Sequence, residues 1–317
     1  MAHNRANPSR DALPDAGISR TDPAIVSETG VSVANWPAHG AKLLAGNRAR
    51  GQLRGMEHVL QSRLSFAPWA DPRTNRLPGI VPLDLADWIE VDDAYAGQMA
   101  LREALIAERE EAVHALLPQA EEAARELYGM VLDLLPAKGY RQEGERMICP
   151  DGRAVLLDAQ HPLLTLGRLT QNDFCLMQDG PSGEHLLTGA ILCFPAGWQL
   201  SEKIGRPMMR IHKPVEIYTE DLGRRVQRLL DGVQPGRALM RGTASRTGQH
   251  LFDSRPEAER GRARAERPLI RVERQGLVRL PQTRAVVFSI HTQMVHPESL
   301  SAHEAQTLET SHLRLGI

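Results

Sequence analysis

Near residue 150 the apolar residues of this chain change their spacing, and that change limits the folds open to it. Before it, Met99, Leu101, Leu105, Ile106, Val113, Leu116 and Leu117 recur at intervals of three and four, with charges between them, as in an amphipathic helix. Asp92 or Asp93 can cap this helix, which is expected to begin near Ala94 and to stop at Pro118. A second helix over about 119–135 gathers Ala123, Leu127, Met130, Val131 and Leu134 on one side and ends at Pro136. From Gly152 the chain turns into short β-forming runs between Gly, Pro and Asp signals: 153–157, 174–178, 185–194, 237–241, 269–274 and 284–293. Helices at about 163–172 and 219–231 interrupt these runs, and a weak amphipathic helix follows around 300–313. Two helices followed by an antiparallel sheet with helical interruptions predict an α+β domain over about 60–300.

The ends and connections read differently. Residues 1–55 mix Asn, Ser, Asp, Gly, Pro and Ala without a sustained period, and are expected to form a disordered leader. Residues 66–91 carry Phe66, Pro68, Trp69, Pro72, Pro78, Pro82 and Trp88, which suggests an extended segment wrapped over a core by its aromatic anchors. Residues 253–267 read as an exposed loop of mixed charge, and Gly180–Gly183 as a turn between strands.

Charge and cysteine usage exclude several classes. The chain carries 38 Lys+Arg against 39 Asp+Glu, without the basic excess of a dedicated nucleic-acid binder. Cys149, Cys175 and Cys193 form no C-x-x-C pair and no disulfide framework. Apolar runs fall far short of the ~20 residues that cross a bilayer, and the polar N-terminus lacks a signal-peptide core. A cytoplasmic protein without membrane or nucleic-acid partners is expected.

Phosphate-loop, dinucleotide, nucleophile-elbow and H-E-x-x-H motifs are absent. His291 and His296, five apart across a strand end, are a weak candidate for a shared metal. Residues 193–218 stand out because Pro195, Gly197, Trp198, Gly205, Pro207 and Pro214 specify a compact irregular path among apolar side chains. His212 lies on that path between Ile211 and Pro214, where a neutral imidazole can sit in the core or ligate a metal. No second ligand stands at zinc-site spacing, whereas a haem needs only one protein ligand. In 269–281, strand alternation puts Arg271, Glu273 and Gln275 on one side and Val272 and Arg274 on the other. That polar side is either an Arg–Glu ladder across the sheet or a wall for a propionate, an amine or water. Arg241 is a further candidate for anion contact.

The stretches GRLTQNDFCLM (167–177), CFPAGWQLSEKIGRPMMRIHKPV (193–215) and RVERQGLVRLPQTRAVVFSIHT (271–292) resemble the haem-dependent oxidative N-demethylase family, alpha subunit. VPLDLADWIEVDDAYAGQMALREALI (81–106) is similar to the same family's lead-in, so the resemblance covers about 60–300. It implies a PAS-like antiparallel sheet with flanking helices and an N-terminal helical extension. Along the chain this means a leader to residue 55, a wrap and helical lead-in over 56–150, a PAS-like haem domain over 151–300 and a tail helix over 301–317. It also implies haem b, with O2 used to oxidise the N-methyl group of a small secondary amine, and formaldehyde as a product. Electrons are then expected from NADPH through FMN and an iron–sulfur cluster on a partner reductase.

The family's Ile-His-x-Pro-Val element falls on Ile211, His212, Pro214 and Val215, so His212 is the expected axial ligand, with His161 as second candidate. Its Glu-Lys-Ile-Gly-Arg-Pro element falls on Glu202 to Pro207, and Arg-Val-Glu-Arg-Gln on Arg271 to Gln275. Lys203, Arg206, Arg241, Arg271 and Arg274 are the expected cofactor-binding residues, as partners of the haem propionates. Glu273 or Glu202 is expected to hold the substrate ammonium or take its proton. After Arg241 the family continues Asn-Trp, whereas this chain has Gly242, Thr243 and Ala244, which leaves the substrate open. Two other readings stay open: a haem-binding sensor without turnover, and a haem-free subunit that keeps only the fold.

Overall fold

The computed structural model describes residues 57–76, 78–197, 199–211, 220–248, 251–252, 269–309 and 311. The expected leader (1–55) and the mixed-charge loop (253–267) lie outside these residues, as do Trp198 and His212.

Leading into the sheet are β1 (Val81–Leu83), α1 (Tyr95–Glu108), the single turn α2 (Glu110–Val113), β2 (His114–Leu116) and α3 (Glu121–Leu134). The helix expected to run from residue 94 to Pro118 is therefore shorter. Arg109, with φ −143° and ψ 40°, breaks it, and the chain then extends at His114. The reason lies in tertiary structure: β2 pairs antiparallel with the strand His185–Ile191 and forms an edge of the sheet, and the flanking hydrogen bonds Leu192 N to Val113 O and Leu117 N to Thr188 O extend the seam. Helix α3 matches expectation, with a 3-10 turn on either side and Gly139 in the left-handed region (φ 87°) after it.

A small sheet follows, made of β3 (Arg141–Glu143), β4 (Arg146–Ile148) and β5 (Ala154–Leu156). Next come α4 (Pro162–Leu169), β6 (Asp173–Asp179), β7 (His185–Ile191), α5 (Leu200–Lys203), α6 (Met208–Ile211) and α7 (Glu220–Gly232). The chain closes with β8 (Ala238–Thr247), β9 (Leu269–Arg279), β10 (Val286–Val295) and α8 (Ala302–Glu309). The main sheet is antiparallel, in the order β1-β8-β9-β10-β6-β7-β2. This is the expected α+β architecture: helices on both faces, and Gly180–Gly183 turning between β6 and β7. Strand β8 runs on through its polar half to Thr247, paired with β9, and β9 continues past the expected residue 274 to Arg279, paired with β10.

Strand alternation gives the sheet two faces. One carries Phe174, Val272, Arg274, Gly276, Val287, Ser289 and His291, and is covered by the wrap 57–92 together with α1, α3 and α4. Trp88 lies edge-on to Phe174, with centroids 6.0 Å apart, and donates its Nε1–H to Ser289 Oγ at 2.7 Å. Gly276 leaves room for that indole: a Cβ there would stand 2.6 Å from Ser289 Oγ and 3.2 Å from Trp88 Nε1. Trp69 and Trp88, the expected anchors of the wrap, are both 1% exposed, and turns with one 3-10 turn, more than the expected extended chain, make up the described residues of 66–91. The other face carries Cys175, Met177, Leu277, Val286, Phe288 and Ile290, under Leu200, Ile204, Met208, Ile211, Val226, Leu229 and Leu230 of α5–α7.

Candidate functional site

The face under α5–α7 is apolar over one half and charged over the other. Register places Arg241 opposite Gln275, Thr243 opposite Glu273, and Glu273 opposite Thr292, all on this face. The Arg271 guanidinium donates to Glu273 Oε1 through Nε (3.1 Å) and Nη2 (2.9 Å). Its Nη2 also reaches Phe194 O at 2.6 Å and Thr292 Oγ1 at 3.4 Å. Glu273 Oε2 accepts from Gln275 Nε2 at 2.9 Å and from Thr243 Oγ1 at 3.5 Å. Arg271 and Glu273 are both buried, so their pairing offsets the desolvation that either charge alone would suffer. The Arg–Glu pair runs along β9, between residues 271 and 273, and not across the sheet as the ladder reading had it; Thr243, Gln275 and Thr292 complete the cluster.

Arg241 is the exception in this cluster. Its Nε is buried and has no hydrogen-bond partner among the described residues. Burial pulls its pKa below the usual arginine value, and the nearby Glu273 charge opposes that shift. A buried guanidinium N–H without an acceptor is costly unless an anion completes it.

The opening of the irregular segment is fixed from two sides. Asp173 accepts from Cys193 N (2.8 Å, Oδ1) and Phe194 N (2.9 Å, Oδ2), and Arg102 Nη1 donates to Asp173 Oδ1 at 2.6 Å. Arg102 also donates to the carbonyls of Gly167 (2.9 Å), Asn172 (3.0 Å) and Gln171 (3.4 Å), and stacks over the Phe194 ring at 5.2 Å. This pair sits at the sheet's rim at 0% and 1% side-chain exposure. Sequence reasoning missed it: a single arginine within a helix of alternating charges carries no mark of burial.

The other expected site residues fall in different places. Lys203 is buried at the end of α5, where its Nζ donates to Ile211 O at 2.9 Å. Glu202 and Arg206 are exposed, on the outer side of α5 and in the turn after it. Arg274 lies on the opposite face. It donates to Asp87 O (2.8 Å) and Trp88 O (3.3 Å) and pairs with Glu90 at 3.3 Å, and so fastens the wrap rather than facing Glu273. The reason is the period of the strand: neighbours in sequence point to opposite faces. His161 is exposed at the start of α4, 2.8 Å from Asp158 Oδ2. His212 is outside the described residues, directly after Ile211 at the end of α6.

His291 is fully buried on the wrap side, with Nε2 2.9 Å from Asp92 Oδ2. Burial pushes the Asp92 carboxyl up, but hydrogen bonds from His291, Gln171 and Gln61 outweigh it and hold the pKa at about 2. Among the described residues the one group with metal-ligand spacing is Asp179, His185 and Asp231. There His185 lies 3.4 Å from Asp179 and 3.6 Å from Asp231, and Gln227 bonds both its ring (2.7 Å) and its backbone N–H (3.0 Å). Those contacts latch the β6–β7 hairpin to α7.

Residues 79–312 match the family model described as haem-dependent oxidative N-demethylase, alpha subunit-like. The chain belongs to that family. Its chemistry is accordingly oxidative N-demethylation dependent on haem, an oxidoreductase function, and the alpha-subunit-like description implies a partner subunit. The cationic half of the face under α5–α7, with Arg241 and Arg271, has the donors that the carboxylate arms of a haem ask for; the apolar half, with Leu277, Phe288 and Ile290, is packed in one cluster with Leu200 and Leu230. The unpartnered Arg241 Nε supplies the free donor. Two other cavities, of about 360 Å³ beside Glu90, Asp92 and Lys138 and about 460 Å³ beside Glu103, Arg153 and Arg168, involve none of these residues. Among the described residues no helix is long and apolar enough to cross a membrane.

Proposed function

We propose that this chain binds haem b on the sheet face under α5–α7 and demethylates a small secondary amine, dimethylamine-like in size. The PAS-like unit over 151–300 carries the site, and the lead-in 56–150 adds the two edge strands β1 and β2 and covers the sheet's other face. His212 is the proposed axial ligand, because it is the one imidazole of 193–218, in an apolar stretch of sequence, and a neutral imidazole is suited to bind iron. Haem, when bound, supplies the O2-activating redox chemistry that no side chain offers. For a substrate R–NH–CH3 the balance is O2, two electrons and two protons consumed, with R–NH2, formaldehyde and water released. The electrons come from NADPH through FMN and an iron–sulfur cluster on the partner subunit.

The observation that carries this reading is the buried Arg241 Nε beside the Arg271–Glu273 pair. Arg241 takes a haem carboxylate. Arg271 holds Glu273 Oε1, which leaves Oε2, with Gln275 and Thr243 around it, to hold a substrate ammonium by a charge-assisted hydrogen bond. Glu202 and Arg206, exposed on α5 and the turn after it, are left out of this arrangement.

The test is to load the purified chain with haem, record its spectrum, and assay NADPH-dependent formaldehyde release with the reductase subunit added. A Soret band is expected, weakened in affinity by about tenfold or more in Arg241→Met through loss of a hydrogen bond to a charged group. Glu273→Gln is expected to keep the band and lose turnover by about 10²-fold or more. No Soret band after loading refutes the haem site; a band without formaldehyde leaves a haem-binding sensor.

A further inference from the structure

We propose that Asp173 is a positioning residue for Glu273, acting on it through the Phe194 carbonyl and the Arg271 guanidinium. This rests on Glu273 holding the substrate ammonium, and concerns what leaves Glu273 Oε2 open to it. A guanidinium facing a carboxylate frequently takes both oxygens, through two parallel N–H bonds. Here both donors of Arg271 go to one oxygen, Nε at 3.1 Å and Nη2 at 2.9 Å from Glu273 Oε1. A second acceptor, Phe194 O at 2.6 Å, draws Nη2 aside, and Thr292 Oγ1 lies 3.4 Å from it. Oε2 is thereby left to Gln275, Thr243 and an incoming ammonium.

The direction of that carbonyl is set from several sides. Asp173, buried at the start of β6, accepts from Cys193 N at 2.8 Å and from Phe194 N at 2.9 Å, one on each oxygen. One side chain so fixes two successive planar peptide units. The Phe194 ring is buried as well, with the Arg102 guanidinium 5.2 Å from its centroid. Pro195 follows, and a residue before proline is confined to extended backbone, so little freedom remains about ψ at Phe194.

Arg102 in turn keeps Asp173 in place, its Nη1 donating to Asp173 Oδ1 at 2.6 Å with both side chains enclosed. Arg102, Asp173, Phe194, Arg271 and Glu273 are all buried, so every joint of this series lies away from water. If Phe194 O turns away, Nη2 of Arg271 loses an acceptor that water cannot replace. The nearest remedy is Oε2 of the same carboxylate, and Arg271 then competes with the amine for that oxygen.

The test measures the affinity of the full chain, loaded with haem, for dimethylammonium by isothermal titration calorimetry, without reductant and so without turnover. Asp173→Asn turns one of the two acceptors into a donor and is expected to weaken binding about tenfold, the scale of one hydrogen bond to a charged group. In an Arg271→Met background the same change is expected to alter affinity less than about twofold, because the route through Arg271 is gone. A role in stability alone lowers the folded fraction, read as the stoichiometry of the titration, and leaves the dissociation constant unchanged. Asp173→Asn with the parent's affinity, or equal losses in both backgrounds, overturns the proposal. If Glu273→Gln keeps the parent's affinity, the ammonium site fails instead, and the two failures are distinct. Should Asp173→Asn not fold, as judged by circular dichroism of the haem-free chain, Pro195→Ala takes its place, since it spares the Arg102–Asp173 pair and frees the Phe194 carbonyl to turn. Weaker binding that disappears in the Arg271→Met background then supports the proposal, and the parent's affinity overturns it.

Discussion

Replacing Arg102 by methionine removes a charge that is wholly enclosed, and the structure sets the scale of the loss. Methionine keeps much of the volume, so the cavity contribution is small. What remains is electrostatic: Asp173 keeps its two backbone donors, Cys193 N and Phe194 N, but faces no cation, and the carbonyls of Gly167 and Asn172 lose their donor. Breaking a buried ion pair from one side costs about 3–5 kcal/mol, because the surviving charge stays desolvated. In urea denaturation of the haem-free chain, with a slope of about 3 kcal/mol/M, the midpoint should fall by about 1 M or more. Asp173→Asn should cost a similar amount, leaving the guanidinium uncompensated. The double variant should cost clearly less than the sum of the two, with coupling of about 1–3 kcal/mol, since residues in one network do not act additively. Single variants within about 1 kcal/mol of the parent, or strict additivity, would refute the view that this pair anchors the rim of the sheet.

The wrap gives two further expectations. Asp92 titrates at about 2 in the fold, against 3.8 for an ordinary aspartate, so its stabilisation is fully present above about pH 4 and is lost as pH falls through 2. Asp92→Asn should therefore cost about 2 kcal/mol at pH 7, and the gap from the parent should close between pH 4 and pH 2 in denaturant melts; a gap independent of pH counts against the assignment. At Gly242, a Cβ would collide with the Phe66 ring and stand 2.7 Å from Pro68 Cβ. Gly242→Ala should cost about 1–3 kcal/mol by overpacking, and much less when made together with Phe66→Ala; equal penalties in both backgrounds would show that the wrap does not press on β8 there.

Gly242 also illustrates where sequence reading stops. It stands out in the sequence as a departure from the family's Asn-Trp after Arg241, but its physical meaning appears only with the wrap lying on it. Thr243, next to it, points to the other face and joins the Glu273 cluster. The alternation of Arg271, Glu273 and Gln275 was legible from β9 alone, because side-chain direction in a strand is a local property. Arg274, one residue away, resembled a haem partner by type, yet it belongs to the wrap side. Lys203 shows the same limit in a helix: its placement in a family motif suggested an anion, whereas the fold brings a carbonyl of its own chain to it.

The chain's periodicity, its Gly and Pro punctuation and its family motifs determined the α+β class, the approximate elements, the aromatic wrap and the haem chemistry. All of these depend on residues within a few positions of one another. Tertiary structure alone decided that His114–Leu116 would leave its helix for a sheet edge, that Arg102 would be enclosed beside Asp173, and that Arg241 of β8 would share a face with Glu273. Those outcomes depend on strand register and on contacts between segments far apart in sequence, 77 residues for Arg271 and Phe194. The physical reason is that a buried charge is tolerated only where distant parts of the chain converge to solvate it, and no local pattern encodes that convergence.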